Sequence, residues 1–298
     1  MSAPTNLIII TTYFNPFRFR SRRNNFELFR ANMQKAGVKF LTIEIAYGKE
    51  PFELAEQSEV TQIRSPDILW NKERIINHIL PTLAKNYSKV VWLDCDIIFD
   101  SPDWPTKISK LLDSVPIAHV FSRARIQLPG NVEQPIVESS IAAFAKGSLA
   151  NSRVGFGWAA RTEFLEKIRL YDPLIVGGGA MALFFGLMRS KVASFEWAKS
   201  ALEIALFKQM SSELSRDYTT WVSSVTEALN GSEPGYADNS IQVLWHSELF
   251  NLDKRAELYS QLEPSRDLVI GEEGCWRLQN SALRQRACEL LMLREEDG

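Results

Sequence analysis

Two stretches of the chain are apolar or β-branched at nearly every position. They are Leu7–Thr12 (LIIITT) and, after Lys89, Val90–Leu93 (VVWL). Strands hydrophobic on both faces belong inside a layered sheet. Phe40–Ala46 predicts a second strand and Val60–Ile63 a short third. Between them the period changes from two to about 3.6. Phe26, Phe29 and Met33 share one face of a helix predicted from about Asn25 to Gly37, and Ile75, Ile76 and Ile79 share a face within Asn71–Leu80. Strands alternating with helices predict βαβ units and an α/β fold with a mixed, mostly parallel central sheet.

Beyond residue 100 the pattern predicts a helix over Trp104–Leu112 and a strand over Ile117–Phe121. Pro129, Gly130, Asn131 and Pro135 mark residues 123–137 as a loop, a candidate lid. Gly155–Ala160 predicts a strand, Thr162–Ile168 a helix, and Ala180–Met188 an apolar helix after the glycine run 177–179. Residues 196–229 read as one or two helices, Ile241–Trp245 as a strand ending at His246, and Leu278–Arg294 as an amphipathic helix. The expected organisation is one catalytic domain over 1–265, with halves 1–115 and 116–265, followed by a helical extension over 266–298.

Composition narrows the function classes. The chain has 298 residues, 45% hydrophobic and 23% charged, enough for a full core. A net charge of -2 predicts no bulk attraction to nucleic acid or anionic membrane. Three scattered cysteines, Cys95, Cys275 and Cys288, form neither a disulfide framework nor a zinc cluster, and point to a reducing compartment. No apolar run approaches the roughly 18 residues of a membrane span. The expectation is a soluble, cytoplasmic protein.

The candidate chemistry lies where the strand Lys89–Leu93 ends. Asp94 and Asp96 flank Cys95 there, and open α/β sheets bind ligands beyond the carboxyl ends of their strands. In extended chain, residues two apart point the same way, so the two carboxylates converge if that geometry continues. Close like charges repel, and a divalent cation relieves the repulsion. Oxygen ligands suit Mg²⁺ or Mn²⁺. A D-x-D triplet also occurs in solvated turns, and its place after a buried strand is what favours function.

Five segments together are more specific: TTYFNPFRFRSRRNNFELFR, ILWNKERIINHIL, VVWLDCDIIFDSPDW, GFGWAARTEFLEKIRLYDPLIVGGG and VLWHSELFNLDKRAELY. In this order, over most of residues 9–260, the chain resembles a family of bacterial and phage GT-A-fold glycosyltransferases, galactosyltransferase-like proteins with a DxD motif. The resemblance implies a Rossmann-type α/β/α sandwich that moves a hexose or pentose from a nucleoside-diphosphate-sugar to a hydroxyl. It implies that Asp94, Asp96 and His246 hold Mn²⁺ (or Mg²⁺) against the donor diphosphate. It also places Trp70, Lys72 and Arg74 near the donor. Gly178, in the run 177–179, permits close backbone approach to a ligand, and a plain tight turn would also use glycine. Thr11, Tyr13 and Asn15 would face the nucleotide, with Arg18 and Arg22 in a basic patch beside them. Trp158 is a candidate sugar platform, and a core aromatic explains it equally well. Lys254 and Arg255 could reach the phosphates, and a solvated helix start explains them equally well.

The chain departs from the family pattern after the glycine run. Ala180 stands where relatives often carry an acidic residue, so Asp172, Asp238 and Glu163 are the candidate catalytic bases, and inversion or retention stays open. The acceptor is a glycan or lipid-linked saccharide, or a hydroxymethylated pyrimidine in DNA if the source is viral. Two other readings remain. One is a haloacid-dehalogenase-type phosphatase with Asp94 as nucleophile, although Ile98 stands at that motif's Thr/Val position. The other is a non-catalytic sugar-nucleotide-binding protein.

Overall fold

The structure is a computed structural model that describes residues 4–128, 135–192, 210–245 and 252–293. The buried runs form β1 (Leu7–Tyr13), β2 (Phe40–Tyr47), β3 (Val60–Ser65) and β4 (Lys89–Leu93), with α1 (Arg20–Lys35) and α2 (Lys72–Leu83) as connections. The chain continues through β5 (Ile97–Phe99), α3 (Trp104–Leu111), β6 (Ile117–His119), β7 (Arg123–Ile126), β8 (Ile136–Ser139), α4 (Ser140–Ala145), β9 (Ser152–Arg153) and β10 (Gly157–Arg161). Then come α5 (Thr162–Ile168), α6 (Gly179–Leu187), α7 (Arg189–Val192), α8 (Ser212–Leu229), β11 (Gly235–Tyr236) and β12 (Ser240–Val243). The C-terminal part holds α9 (Leu252–Tyr259), α10 (Pro264–Asp267), β13 (Leu268–Ile270), β14 (Trp276–Leu278) and α11 (Ser281–Met292).

The central sheet runs β11-β6-β10-β4-β1-β2-β3. Its β4-β1-β2-β3 side is parallel throughout, and β10 is antiparallel to both neighbours. This is the mixed, mostly parallel α/β architecture the periodicity predicts. Alternate side chains of β1 and β4 enter opposite cores. Ile8, Ile10, Val90 and Trp92 pack with Ile75, Ile76 and Leu80 of α2. Leu7, Ile9, Val91 and Leu93 pack with Phe26, Phe29 and Met33 of α1. Each such burial contributes roughly 1.5–3 kcal/mol, and two-sided burial is why these strands carry no polar alternation.

Several expectations change. Residues 123–137 are not one loop: β7 and β8 pair antiparallel in a second sheet, ordered β5-β12-β7-β8-β9. Residues 129–134 of the expected lid, residues 196–209 of the expected helices, and His246 lie outside the described residues. Helix α1 begins at Arg20, not near Asn25, so Arg20, Arg22 and Arg23 ride its first turn. The C-terminal extension is a β-hairpin followed by a helix. It is tied to the body, because Leu278 N–H donates to Asp67 Oδ2 at 2.8 Å and Trp276 N–H to Asn71 Oδ1 at 2.8 Å. A third core mixes Leu69, Val176, Tyr218 and Leu258 with Leu268, Leu278 and Leu283, across the boundary expected at residue 265. Among the described residues no helix is long and apolar enough to cross a membrane.

Candidate functional site

The strand β4 ends at Leu93, and the chain turns at Cys95 and Asp96 before entering β5 in the second sheet. The extended geometry that would aim both carboxylates alike therefore stops at Asp94. The turn is set by burial: Cys95 and Ile97 enter the α1-side core. Asp94 and Asp96 are left at the seam between the two sheets.

Asp94 is fixed from two sides. Its Oδ1 pairs with the Lys72 ammonium, at the start of α2. Its Oδ2 accepts from the Phe156 N–H at 3.1 Å, and its own N–H donates to the Phe156 carbonyl at 2.9 Å. Phe156 adopts φ 76°, a left-handed conformation rare for a bulky side chain and costly by about 1–3 kcal/mol. The reciprocal bonds to Asp94 hold it there, as does its ring packing on Phe121 at 5.7 Å. The Lys72 side chain is 10% exposed and that of Asp94 29%. Burial opposes the Lys72 charge most, yet the carboxylates of Asp94, Glu73 and Asp96 raise its pKa above the ordinary lysine value.

Arg74 turns the other way. Its guanidinium pairs with Asp172 at 3.3 Å, donates to the Gly274 carbonyl at 2.9 Å, and lies over Trp276. Asn77 also donates to Asp172, at 2.9 Å. Burial raises the Asp172 pKa, and Asn77 and Arg74 oppose that rise. These groups anchor the C-terminal hairpin, which ties Asp172 up in the scaffold.

The nucleotide-side candidates form a closed network. Thr11 is buried and donates to the Leu93 carbonyl at 2.9 Å. Tyr13 donates to Glu53, Asn15 Nδ2 to Glu53 at 3.1 Å, and Arg18 pairs with Glu53 at 3.0 Å. Burial, then Glu53, raises the Tyr13 pKa far above the ordinary phenol value. Arg22 donates to the Phe14 carbonyl at 3.3 Å and lies over the Phe14 ring, which meets Trp70 edge-on at 4.7 Å. A shallow pocket borders this network, lined by Tyr13, Asn15, Arg18, Glu44 and Glu53.

Of the remaining candidates Trp158 and Gly178 lie near Lys72, and Glu163, Asp238 and Lys254 do not. Trp158 is 1% exposed, donates to the Val154 carbonyl at 2.9 Å, and packs on His119 at 3.9 Å. It is a core aromatic that also borders the pocket lined by Lys72 and Gly155. Burial lowers the pKa of His119 to about 3, and Ser139 and Val154 bond its two ring nitrogens. Glu163 sits at the opposite end of the sheet: β10 runs antiparallel to β4, with Arg161 beside Lys89. At about 3.3 Å per residue, that is about 15 Å from Asp94. Asp238 is exposed and accepts from Ser122 Oγ at 3.1 Å. Gly178 caps α6 at φ 114°, and Arg255 on α9 packs against Gly177. Lys254 is exposed on α9.

Among the described residues no group of three or more His, Cys, Asp or Glu could hold a metal. The two carboxylates still suit a hard cation. Mg²⁺ and Mn²⁺ sites commonly use one or two protein carboxylates and leave other positions to water and substrate phosphate. The segment after β12 passes beside this place. Leu244 N–H donates to the Asp96 carbonyl at 2.8 Å, and the Trp245 carbonyl accepts from Asn25 at 2.8 Å.

Sequence reasoning passed over Glu73. It is buried on the first turn of α2, and a Cβ on Gly179 would overlap its carboxyl. Burial pushes its pKa up to about 7, against the pull of the Lys72 ammonium and its own backbone N–H. Lys72, Glu73, Gly155, Phe156, Trp158 and Ala180 line one pocket.

No family model matches the chain, and no curated protein matches it. Solved structures similar to it are distant. The catalytic domain of Drosophila β1,4-galactosyltransferase 7 in complex with xylobiose is 8% identical, with 95% of this chain and 98% of that chain covered and a TM-score of 0.42. Glucosyl-3-phosphoglycerate synthase from Mycobacterium tuberculosis, in complex with phosphoglyceric acid, is 10% identical over 92% and 86%, at 0.41. The 4-diphosphocytidyl-2C-methyl-D-erythritol synthase from Anaerococcus prevotii is 8% identical over 85% and 96%, at 0.39.

Proposed function

We propose that this chain is a glycosyltransferase that moves a sugar from a nucleoside-diphosphate-sugar to a hydroxyl acceptor with the help of a divalent cation. The observation that carries the reading is the charge arrangement after β4. There a carboxylate held by a buried lysine and a strained backbone N–H lies two residues before a second, Asp96, whose charge also acts on that lysine, at the carboxyl end of a two-sided buried sheet. Asp94 and Asp96 would hold Mn²⁺ or Mg²⁺, with His246 as a further ligand. The cation would supply Lewis-acid stabilisation of the leaving diphosphate. Lys72 would add a fixed positive charge to the same phosphates, as a preorganised group in a low-dielectric site. The basic first turn of α1 and the Tyr13–Asn15–Arg18 network would receive the nucleotide.

In this reading Asp172, Asp238 and Glu163 are not the proton acceptors. The first is paired with Arg74 and Asn77, the second is exposed, and the third lies at the far end of β10. The test is release of nucleoside diphosphate from a panel of sugar nucleotides with Mn²⁺ or with EDTA, for wild type and Asp96→Ala. We expect turnover that needs the cation and falls at least ~10³-fold in the variant, which is about 4 kcal/mol of transition-state stabilisation. Equal rates in EDTA would refute the reading.

A further inference from the structure

We propose that Glu73 is the general base of the transfer reaction, accepting the proton of the incoming hydroxyl. This rests on the glycosyltransferase reading. It adds the one group that reading leaves unassigned.

The geometry comes first. Glu73 lines one pocket with Lys72, whose ammonium holds Asp94, and its carboxyl feels the charges of both, so it lies near the group expected to meet the donor phosphates. It lines the same pocket as Gly155, Phe156 and Ala180. Helix α6 begins directly against it: Gly179 has no Cβ and Ala180 only a methyl, so the carboxyl fits under the first turn of that helix. Its carboxyl accepts from its own backbone N–H, and the remaining lone pairs can accept from a ligand hydroxyl.

The electrostatics agree. The charged groups facing Glu73 are Lys72 on its own helix, Asp94 after β4, and Asp172 in the segment before α6. Helix α6 presents no acidic residue in its first turn. On the neighbouring glycine turn, Arg255 of α9 packs against Gly177. The sum leaves a carboxylic acid that titrates near neutrality, where a general base combines the right protonation state with useful basicity.

The step balances as a single displacement. The bond from the anomeric carbon to the phosphate oxygen breaks, and its electron pair leaves with the nucleoside diphosphate. The acceptor oxygen bonds to the anomeric carbon, and its proton passes to a Glu73 oxygen and then to solvent. A base on the acceptor side implies inverted configuration at the anomeric carbon. In the absence of a known acceptor, water takes that place.

The experiment follows hydrolysis of UDP-α-glucose and UDP-α-galactose with Mn²⁺ by wild type, Glu73→Gln and Glu73→Asp. Donor affinity is read separately by calorimetry, and the first anomer released is read by NMR. Wild-type turnover should rise tenfold per pH unit to a plateau near pH 7, and release the β-sugar first. Glu73→Gln should bind donor within threefold of wild type, turn over ~10²–10⁴-fold more slowly, and lose the pH step. Glu73→Asp should recover part of the rate. Unchanged turnover or an unchanged pH step in Glu73→Gln would overturn the assignment of Glu73, as would first release of the α-sugar. Wild type that binds neither donor would overturn the glycosyltransferase reading itself, and this assignment with it.

Discussion

The two ends of the strand β4 each carry a buried lysine paired with an aspartate, and the pairs are built differently. At the amino end Lys89 spends its whole donor capacity on the scaffold. Its ammonium donates to the Ser109 carbonyl at 2.7 Å, to Ser109 Oγ at 3.0 Å and to Asp113 at 2.5 Å. Asp113 faces solvent with 68% of its side chain exposed. At the carboxyl end Asp94 is the one acceptor the Lys72 ammonium has among the described residues, and the surrounding carboxylates hold its charge. An ammonium has three donors. One end is a finished structural clasp, and the other keeps donor capacity facing a pocket.

Lysine substitution sharpens the contrast most. Lys72→Met should lower turnover ~10²-fold while changing stability by no more than about 1 kcal/mol, because Asp94 is partly exposed and keeps the Phe156 N–H. Lys89→Met should do the reverse. It leaves a buried carbonyl and hydroxyl without their donor, at a cost of about 1–3 kcal/mol in a denaturant melt, with turnover per folded molecule unchanged. If Lys89→Met were the catalytic defect, the contrast would break. The smallest expected effect belongs to Glu163, exposed at the same end as Lys89. Glu163→Gln should leave both stability (within ~0.5 kcal/mol) and turnover unchanged, and a lost activity there would move the chemistry to the wrong end of the sheet.

The strands were legible because two-sided burial writes a continuous apolar run, as in Val90–Leu93. The place of Asp94 followed from that run. The direction of Asp96 did not, since the turn at Cys95 is made by Cys95 and Ile97 entering a core that no local pattern encodes. Strands β7 and β8 were hidden because they are short and flank a Pro/Gly-rich segment, which reads as loop. The start of α1 was hidden because Arg20, Ser21, Arg22 and Arg23 carry no apolar period.

Glu73 was the costliest omission. In sequence it is an ordinary acidic residue on a helical first turn, which a solvated position explains. Its burial depends on Gly179, more than a hundred residues away, passing close enough to exclude any side chain. The glycine run was noticed, and the missing clue was which carboxyl it made room for. Trp158 was open in sequence between sugar platform and core aromatic, and cross-strand packing against His119 makes it core.

The claim that the carboxyl end of β4 binds a donor diphosphate through a cation is tested most directly by thermal shift with UDP-sugars, using wild type, Asp94→Asn and Asp113→Asn. A ligand that binds only the native state raises its stability, by about 2.7 kcal/mol at a hundred times Kd. The account predicts a Mn²⁺-dependent rise in Tm for wild type and Asp113→Asn, and none for Asp94→Asn. An equal rise in EDTA, or an undiminished rise in Asp94→Asn, would contradict it.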